Sequence, residues 1–193
     1  GFLGLGAVIE ESGRTLTASP LLATAVLGAS GILLGGSEAQ KRELLPGIAA
    51  GELTLALALE ESNHHDPAGC ALCAVKTDAG WQLDGEKQFV LDGHSADKLL
   101  VVARTAGEAG ASEGLSLFLI DADADGVSRV RTTMVDSRNA ANIEFSAVTA
   151  TPDALVGEVD KGWDVLEPLL DRGRIAIAAE MWGGCQEVFE RTL

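Results

Sequence analysis

Tyrosine is absent from this chain, and aromatic residues fill only 4% of its 193 positions. The stacking platforms that hold single-stranded nucleic acids are therefore missing. Positive charge is scarce as well: 14 lysines and arginines stand against 29 aspartates and glutamates, a net charge of −15. A surface of that sign repels phosphate backbones and anionic lipid headgroups, so nucleic acid is excluded as the expected partner. An anionic small molecule is still allowed, because a few arginines gathered in one cleft can oppose the global field. Cysteine occurs three times, at Cys70, Cys73 and Cys185. An odd count without framework spacing argues against a secreted disulfide scaffold and fits a reducing, cytoplasmic setting. No basic n-region or small-residue cleavage site precedes Phe2, and the start at Gly1 rather than Met reads as a cut end.

What is present is a globular balance, 47% hydrophobic and 22% charged. The stretch Thr15–Ser37 carries no charge and is long enough to raise the question of a membrane span. Pro20, Gly28, Gly31, Gly35, Gly36 and several hydroxyls within it point instead to helix buried inside a large domain.

Three regions differ in period. From Phe2 to about Pro46 the pattern is helical, with Phe2, Leu5, Val8 and Ile9 on one face and Ala23, Val26, Leu27 and Leu33 continuing the habit. Ser37 with Gln40 three residues on predicts a capping box that opens a helix, and Pro46-Gly47 predicts its end. Leu53–Leu59 then reads as a strand buried on both faces. Asp78-Ala79-Gly80, Asp84-Gly85 and Asp92-Gly93 act as turn signals between the predicted strands Ala71–Lys76, Trp81–Leu83, Lys87–Leu91 and Leu99–Arg104. Leu115–Ile120, Val127–Thr132 and Asn142–Phe145 complete an antiparallel sandwich or barrel. From about Gly162 the helical period returns, with Trp163, Leu166, Leu169, Leu170, Ile177 and Met181 as its apolar stripe. The expected fold is α+β and multidomain: a helical segment over 1–52, a β domain over 53–160 and the first helix of a helical bundle over 161–193. The absence of a cap after Thr192-Leu193 reads as a helix cut short.

Local motifs are more specific than element order. Glu10-Glu11-Ser12-Gly13-Arg14, the stretch Gly36-Ser37-Glu38-Ala39-Gln40-Lys41-Arg42 through Leu45-Pro46 to Gly51-Glu52, Leu83-Asp84-Gly85-Glu86-Lys87, and Gly157 through Gly162-Trp163 to Asp171-Arg172-Gly173-Arg174 together resemble the acyl-CoA dehydrogenase family over nearly the whole chain. That resemblance implies FAD as cofactor, an acyl-CoA substrate of fatty acid metabolism desaturated at the α,β position, an electron-accepting protein, and assembly as a dimer or tetramer of like or unlike subunits. It puts Ala56, Ala58, Leu59, His64, His65, Phe89, Val90 and Leu91 at the flavin, and His65, Asp171 and Arg174 at the substrate. Arg174 also reads as an ordinary helix residue paired with a nearby acid.

The chain departs from the family pattern in places. A strand end that usually reads Thr-Glu-Pro, any residue, Ala-Gly-Ser-Asp is Leu59-Glu60-Glu61-Ser62-Asn63-His64-His65-Asp66, and the usual Trp-Ile-Thr is Phe89-Val90-Leu91. Two hydroxyls near the flavin are thereby lost, each worth ~1 kcal/mol net. No residue matches a catalytic base: the position used by one branch is Gly173, and the commoner position lies beyond Leu193. A non-catalytic partner subunit with the same fold is the alternative reading.

Other chemistries fare worse. His64, His65, Asp66, Cys70 and Cys73 hold metal-ligating types, but adjacent histidines on an extended segment point apart and no second Cys pair follows. Cys70 and Cys73 have dithiol spacing without a helix N-terminus to activate a thiol, and read as packed cysteines. Glu60 and Glu61 face opposite ways on an extended segment, so they make no acid/base pair and one of them is expected to be structural. The glycines at 31, 35 and 36 follow no strand and form no dinucleotide fingerprint.

Overall fold

The structure is a computed structural model that describes residues 1–136 and 138–193. Helix α1 spans Phe2–Thr15; a π-helical segment, Leu21–Gly28, runs directly into α2, Ala29–Gly35; and α3 spans Glu38–Ala50. The charge-free run is the helical rod formed by the π segment and α2. Its glycines are contact points: a Cβ on Gly28 would lie 2.6 Å from Leu55 Cβ, and one on Gly31 would lie 2.5 Å from Leu100 Cδ2. Without those side chains the rod lies directly on the sheet. Thr24 adds a polar lock, its hydroxyl bonded to both the carbonyl and the N–H of Leu55 at 3.1 Å. Among the described residues no helix is long and apolar enough to cross a membrane.

The Ser37–Gln40 capping box forms with both reciprocal bonds. The helix it opens does not end at Pro46-Gly47, as the sequence pattern predicts; Pro46 lies inside α3, and the chain leaves at Gly51 with φ 75°. A proline interrupts a helix through its missing N–H and its clash with the preceding turn. Here the left-handed position reserved for Gly51 supplies the actual stop.

Among the described residues eight strands follow: β1 Leu55–Ala58, β2 Cys73–Thr77, β3 Gly80–Leu91, β4 Lys98–Arg104, β5 Leu115–Asp121, β6 Val127–Thr133, β7 Asn139–Ala150 and β8 Leu155–Val156. The sheet order is β6-β7-β3-β2-β4-β5-β8, with β1 paired to β4. Most pairings are antiparallel, but β1 and β2 both run parallel to β4. The predicted turn at Asp84-Gly85 is instead a register shift within the single strand β3, where Gly85 has φ +142°. The same Asp-Gly pair serves a bulge as readily as a hairpin, since both need a glycine conformation. A second shift lies between Lys87 and Val90.

Helix α4, Trp163–Thr192, packs back over the helical rod. Its first turns bury Leu166, Leu169 and Leu170 as expected, yet Ile177 and Met181 are exposed. Farther along, the buried positions are Gly173, Ala176 and Gly183: a Cβ on Gly173 would meet Leu27 of the π segment at 3.0 Å, and one on Gly183 would meet the Glu10 carbonyl oxygen of α1 at 1.9 Å. The main core joins the sheet interior, Leu55, Leu83, Leu99, Leu100, Leu117, Phe118 and Phe145, to Ile32, Leu166 and Leu169 of the helices. A smaller cluster of Ile9, Val26 and Ala176 sits at the α1–α4 crossing.

Candidate functional site

The loop that leaves β1 is held against β3 by a dense set of bonds. The Gln88 N–H donates to the Glu60 carbonyl at 2.7 Å. Glu60 receives His65 Nδ1 at 2.6 Å and the Asp66 N–H at 3.3 Å. Glu61 points the other way, as alternation requires, and accepts the N–H groups of Ala71 at 2.7 Å and Leu72 at 2.9 Å. It also accepts from Lys87 Nζ at 2.6 Å, and Lys87 itself is fully buried. Burial alone would raise the Glu61 carboxyl, but the Lys87 charge and the bonds from Lys87, Leu72 and Ala71 outweigh it and hold the group below the usual carboxylate range. Of the two glutamates, Glu61 is the structural one.

Arg104 secures the far end of the loop. Among the described residues its guanidinium meets no carboxylate; it donates to the carbonyls of Cys70 at 2.8 Å, Ala68 at 2.9 Å, Ala111 at 2.9 Å, Glu113 at 3.0 Å and Ala106 at 3.3 Å. Cys70 is buried against this network, where burial pushes its thiol up. Cys73 is exposed, contrary to the packed reading, because β2 turns alternate residues outward and Cys73 falls on the outer face.

The flavin-facing residues expected from the sequence divide into two groups. Ala56, Ala58, Leu59 and Val90 are core residues, with side chains closed off from solvent. Any contact they make to a ligand would be through the backbone. His64, His65, Phe89 and Leu91 are at least partly open. Phe89 sits in the bulge of β3 with φ 49° and is 49% exposed, its N–H bonded to Asn142 Oδ1 at 3.1 Å. A non-glycine residue held there costs on the order of 1–3 kcal/mol, which the surrounding ladder supports.

Beside Leu91 lies a cavity of about 310 Å³, shared with Ser19, Pro20, Thr54, Asp92 and Arg138. Burial raises the Asp92 carboxyl, opposed by the charge of Arg138. Arg138 in turn is ion-paired with Glu180 of α4, so this wall joins the β domain to the C-terminal helix. Asp171 and Arg174 are placed elsewhere. They pair with each other at 2.6 Å on the exposed side of α4, and among the described residues neither is bonded to the 59–66 loop. A larger groove of about 1060 Å³, between the C-terminal ends of α1 and α4, shares no residue with the β1–β3 edge among the described residues, and its charged residues Arg14 and Arg191 are both ion-paired with Glu187. Lys87 and Arg104 went unnoticed in the sequence, where each reads as an ordinary strand charge; their only signal is a basic residue at an inward position of an apolar strand pattern.

A sheet of this order, packed under a helical rod and closed by a long helix, defines an α+β architecture in which the loop after β1 is bonded to the partly open end of β3. Residues 1–52 match the family model of the acyl-CoA dehydrogenase N-terminal domain, and residues 56–148 match that of the acyl-CoA dehydrogenase middle domain. The chain belongs to the acyl-CoA dehydrogenase family. It is 28% identical over 177 residues to the human very long-chain specific acyl-CoA dehydrogenase of mitochondria, covering 86% of this chain and 27% of that protein. The solved butyryl-CoA dehydrogenase of Megasphaera elsdenii superposes with a TM-score of 0.83 at 27% identity, over 96% of this chain and 49% of the other. A glutaryl-coenzyme A dehydrogenase in complex with glutaryl-CoA gives 0.88 at 26%, over 96% and 48%. The chain thus spans about half the length of these solved relatives, and less of the human enzyme.

Proposed function

We propose that this chain forms the flavin-facing part of an FAD-dependent oxidoreductase that desaturates an acyl-CoA thioester between its α and β carbons in fatty acid metabolism. The observation that carries the reading is the edge where Phe89 is turned outward beside the bonded 59–66 loop, next to the cavity at Leu91, in a chain of this family. The residues present fit a planar, largely apolar ring: Phe89 and Leu91 offer apolar surface, and the loop offers backbone polar groups in place of the missing hydroxyls. When bound, FAD would supply the hydride acceptor. The chain's own residues position and shield. The ends of β1 and β3 fix the edge, Arg104 and Glu61 fix the loop, and His65, held by Glu60, stands where a thioester would pass.

The base that takes the α-proton is not supplied by the motif-matched positions of this chain, so the 193 residues alone are expected to show no acyl-CoA turnover. In our reading the working unit is a dimer or tetramer in the cytoplasm that passes electrons to an acceptor protein, and the segments 1–52, 53–160 and 161–193 are its domain boundaries. A second reading, a non-catalytic subunit within a hetero-oligomer, draws on Leu59, Leu91 and Gly173 standing at positions where catalytic relatives keep polar groups. Titration of the purified protein with FAD, followed by flavin fluorescence and the visible spectrum, separates the two. Tight binding with a perturbed flavin band supports the dehydrogenase reading; no binding, in a folded protein, supports the subunit reading.

A further inference from the structure

Lys87 heads the fully buried side chains of the protein, at 0% exposure. Its ammonium has three donors, and all are engaged: the Leu59 carbonyl at 3.0 Å, Glu61 Oε1 at 2.6 Å and Cys70 Sγ at 3.3 Å. Desolvating an ion pair is costly, and well-packed apolar residues of similar volume often replace one at no loss of stability. Stability therefore gives no reason for this pair to be charged. Apolar side chains, however, cannot bond the Leu59 carbonyl, nor hold the N–H groups of Ala71 and Leu72 as Glu61 does. Those bonds grip the loop carrying His64 and His65 at both of its ends. Lys87 also precedes the bulge that turns Phe89 outward.

We propose that Lys87 and Glu61 are a positioning pair for the ligand edge. Together they set the height of the 59–66 loop relative to Phe89 and Leu91 without touching the ligand. The inference rests on the flavin reading above and adds to it the device that shapes the site from beneath. The test compares wild type with Lys87→Met, Glu61→Gln and the double variant Lys87→Met/Glu61→Leu in the full chain. Three quantities are read: melting temperature, FAD affinity by flavin fluorescence, and amide hydrogen exchange at Ala71 and Leu72. Each single variant is expected to lower both melting temperature and FAD affinity. The double variant should melt within about 4 °C of wild type, while its FAD affinity stays lower by about tenfold or more and exchange at Ala71 and Leu72 accelerates.

Recovery of FAD affinity together with melting temperature would overturn the proposal, since affinity would then merely follow stability. If wild type binds no FAD, the flavin reading fails, and hydrogen exchange still decides the positioning role: unchanged protection in a folded double variant refutes it, faster exchange upholds it. Should the double variant not fold, Glu61→Asp takes its place, keeping the charge but shortening the arm by one methylene. Weaker FAD binding and faster exchange at a near-native melting temperature are then expected, and wild-type values for both refute the pair.

Discussion

Gly183→Ala and Gly184→Ala, one residue apart on α4, are expected to move stability in opposite directions. At Gly183 a Cβ would stand 1.9 Å from the Glu10 carbonyl oxygen and 3.2 Å from the Arg14 nitrogen, both backbone atoms of α1. Backbone cannot rotate aside, so α1 must retreat by about 1.5 Å to restore ordinary contact. Overpacking of that kind costs ~1–3 kcal/mol, and the cluster of Ile9, Val26 and Ala176 at the crossing opens with it. The alanine recovers up to ~1 kcal/mol of helix propensity. The net is a loss of about 1–2 kcal/mol. At Gly184 the nearest atom to a new Cβ is the Gly13 carbonyl oxygen at 3.6 Å, an ordinary contact, so the propensity gain is kept. The ion pairs of Arg14 with Glu187 and Glu190 span the same crossing, but they are partly solvated and alter this balance little. Urea denaturation followed by circular dichroism should separate the variants by ~2–3 kcal/mol, or about 4–12 °C in melting temperature. A Gly183→Ala protein as stable as Gly184→Ala, with an unchanged denaturant slope, would show that the helices do not touch there.

Three further outcomes are expected. Because the Glu61 carboxyl is held below its ordinary range in the fold, its contribution is present above the unfolded pKa of about 4.3 and is lost as pH falls through the lower folded value; Glu61→Gln should cost ~3–5 kcal/mol at pH 7, with the gap to wild type closing in acid when unfolding is measured across pH. Leu91→Thr returns a hydroxyl to a half-open position beside the cavity and should tighten FAD binding by up to about fivefold in fluorescence titration, whereas Leu59→Thr, in the core, should chiefly lower the melting temperature. His65→Ser should admit bulky acyl-CoA more readily than wild type does, measured with straight and bulky substrates at pH 6 and pH 8; equal affinities throughout would remove His65 from the site.

Where a residue's role is set by its neighbours along the chain, the sequence made it legible. Ser37 and Gln40 satisfy each other's backbone within one turn, so their capping box could be read directly. The bonded loop after β1 also stood out, because its unusual run of Glu, His and Asp follows an apolar strand. Roles set by distant contacts were not visible. Gly85 needs a left-handed glycine whether it closes a hairpin or bulges a strand, and only its pairing with Phe145 across the sheet decides which. Ile177 and Met181 fit a helical stripe, but the π segment at Leu27 and α1 at Glu10 approach so closely that the buried face belongs to Gly173 and Gly183 instead. Lys87 is the clearest case, since its burial depends on a glutamate 26 positions earlier that the alternation of an extended segment turns inward.

The long ladder between β3 and β7, running from Trp81 opposite Ala150 to Leu91 opposite Ala140, also fixes an order of events during synthesis. About fifty residues separate the two strands, so at roughly 5–20 residues per second β3 waits on the order of 3–10 s for its partner to leave the ribosome. During that interval its edge is a template for wrong pairing with other nascent chains. Gln82, Asp84, Glu86 and Gln88 occupy alternate positions along that strand, Gln82 and Glu86 open to solvent and Asp84 and Gln88 half-buried in the finished fold. Their first service is to the unfinished chain, where charge and polarity keep an unpaired strand soluble until β7 arrives.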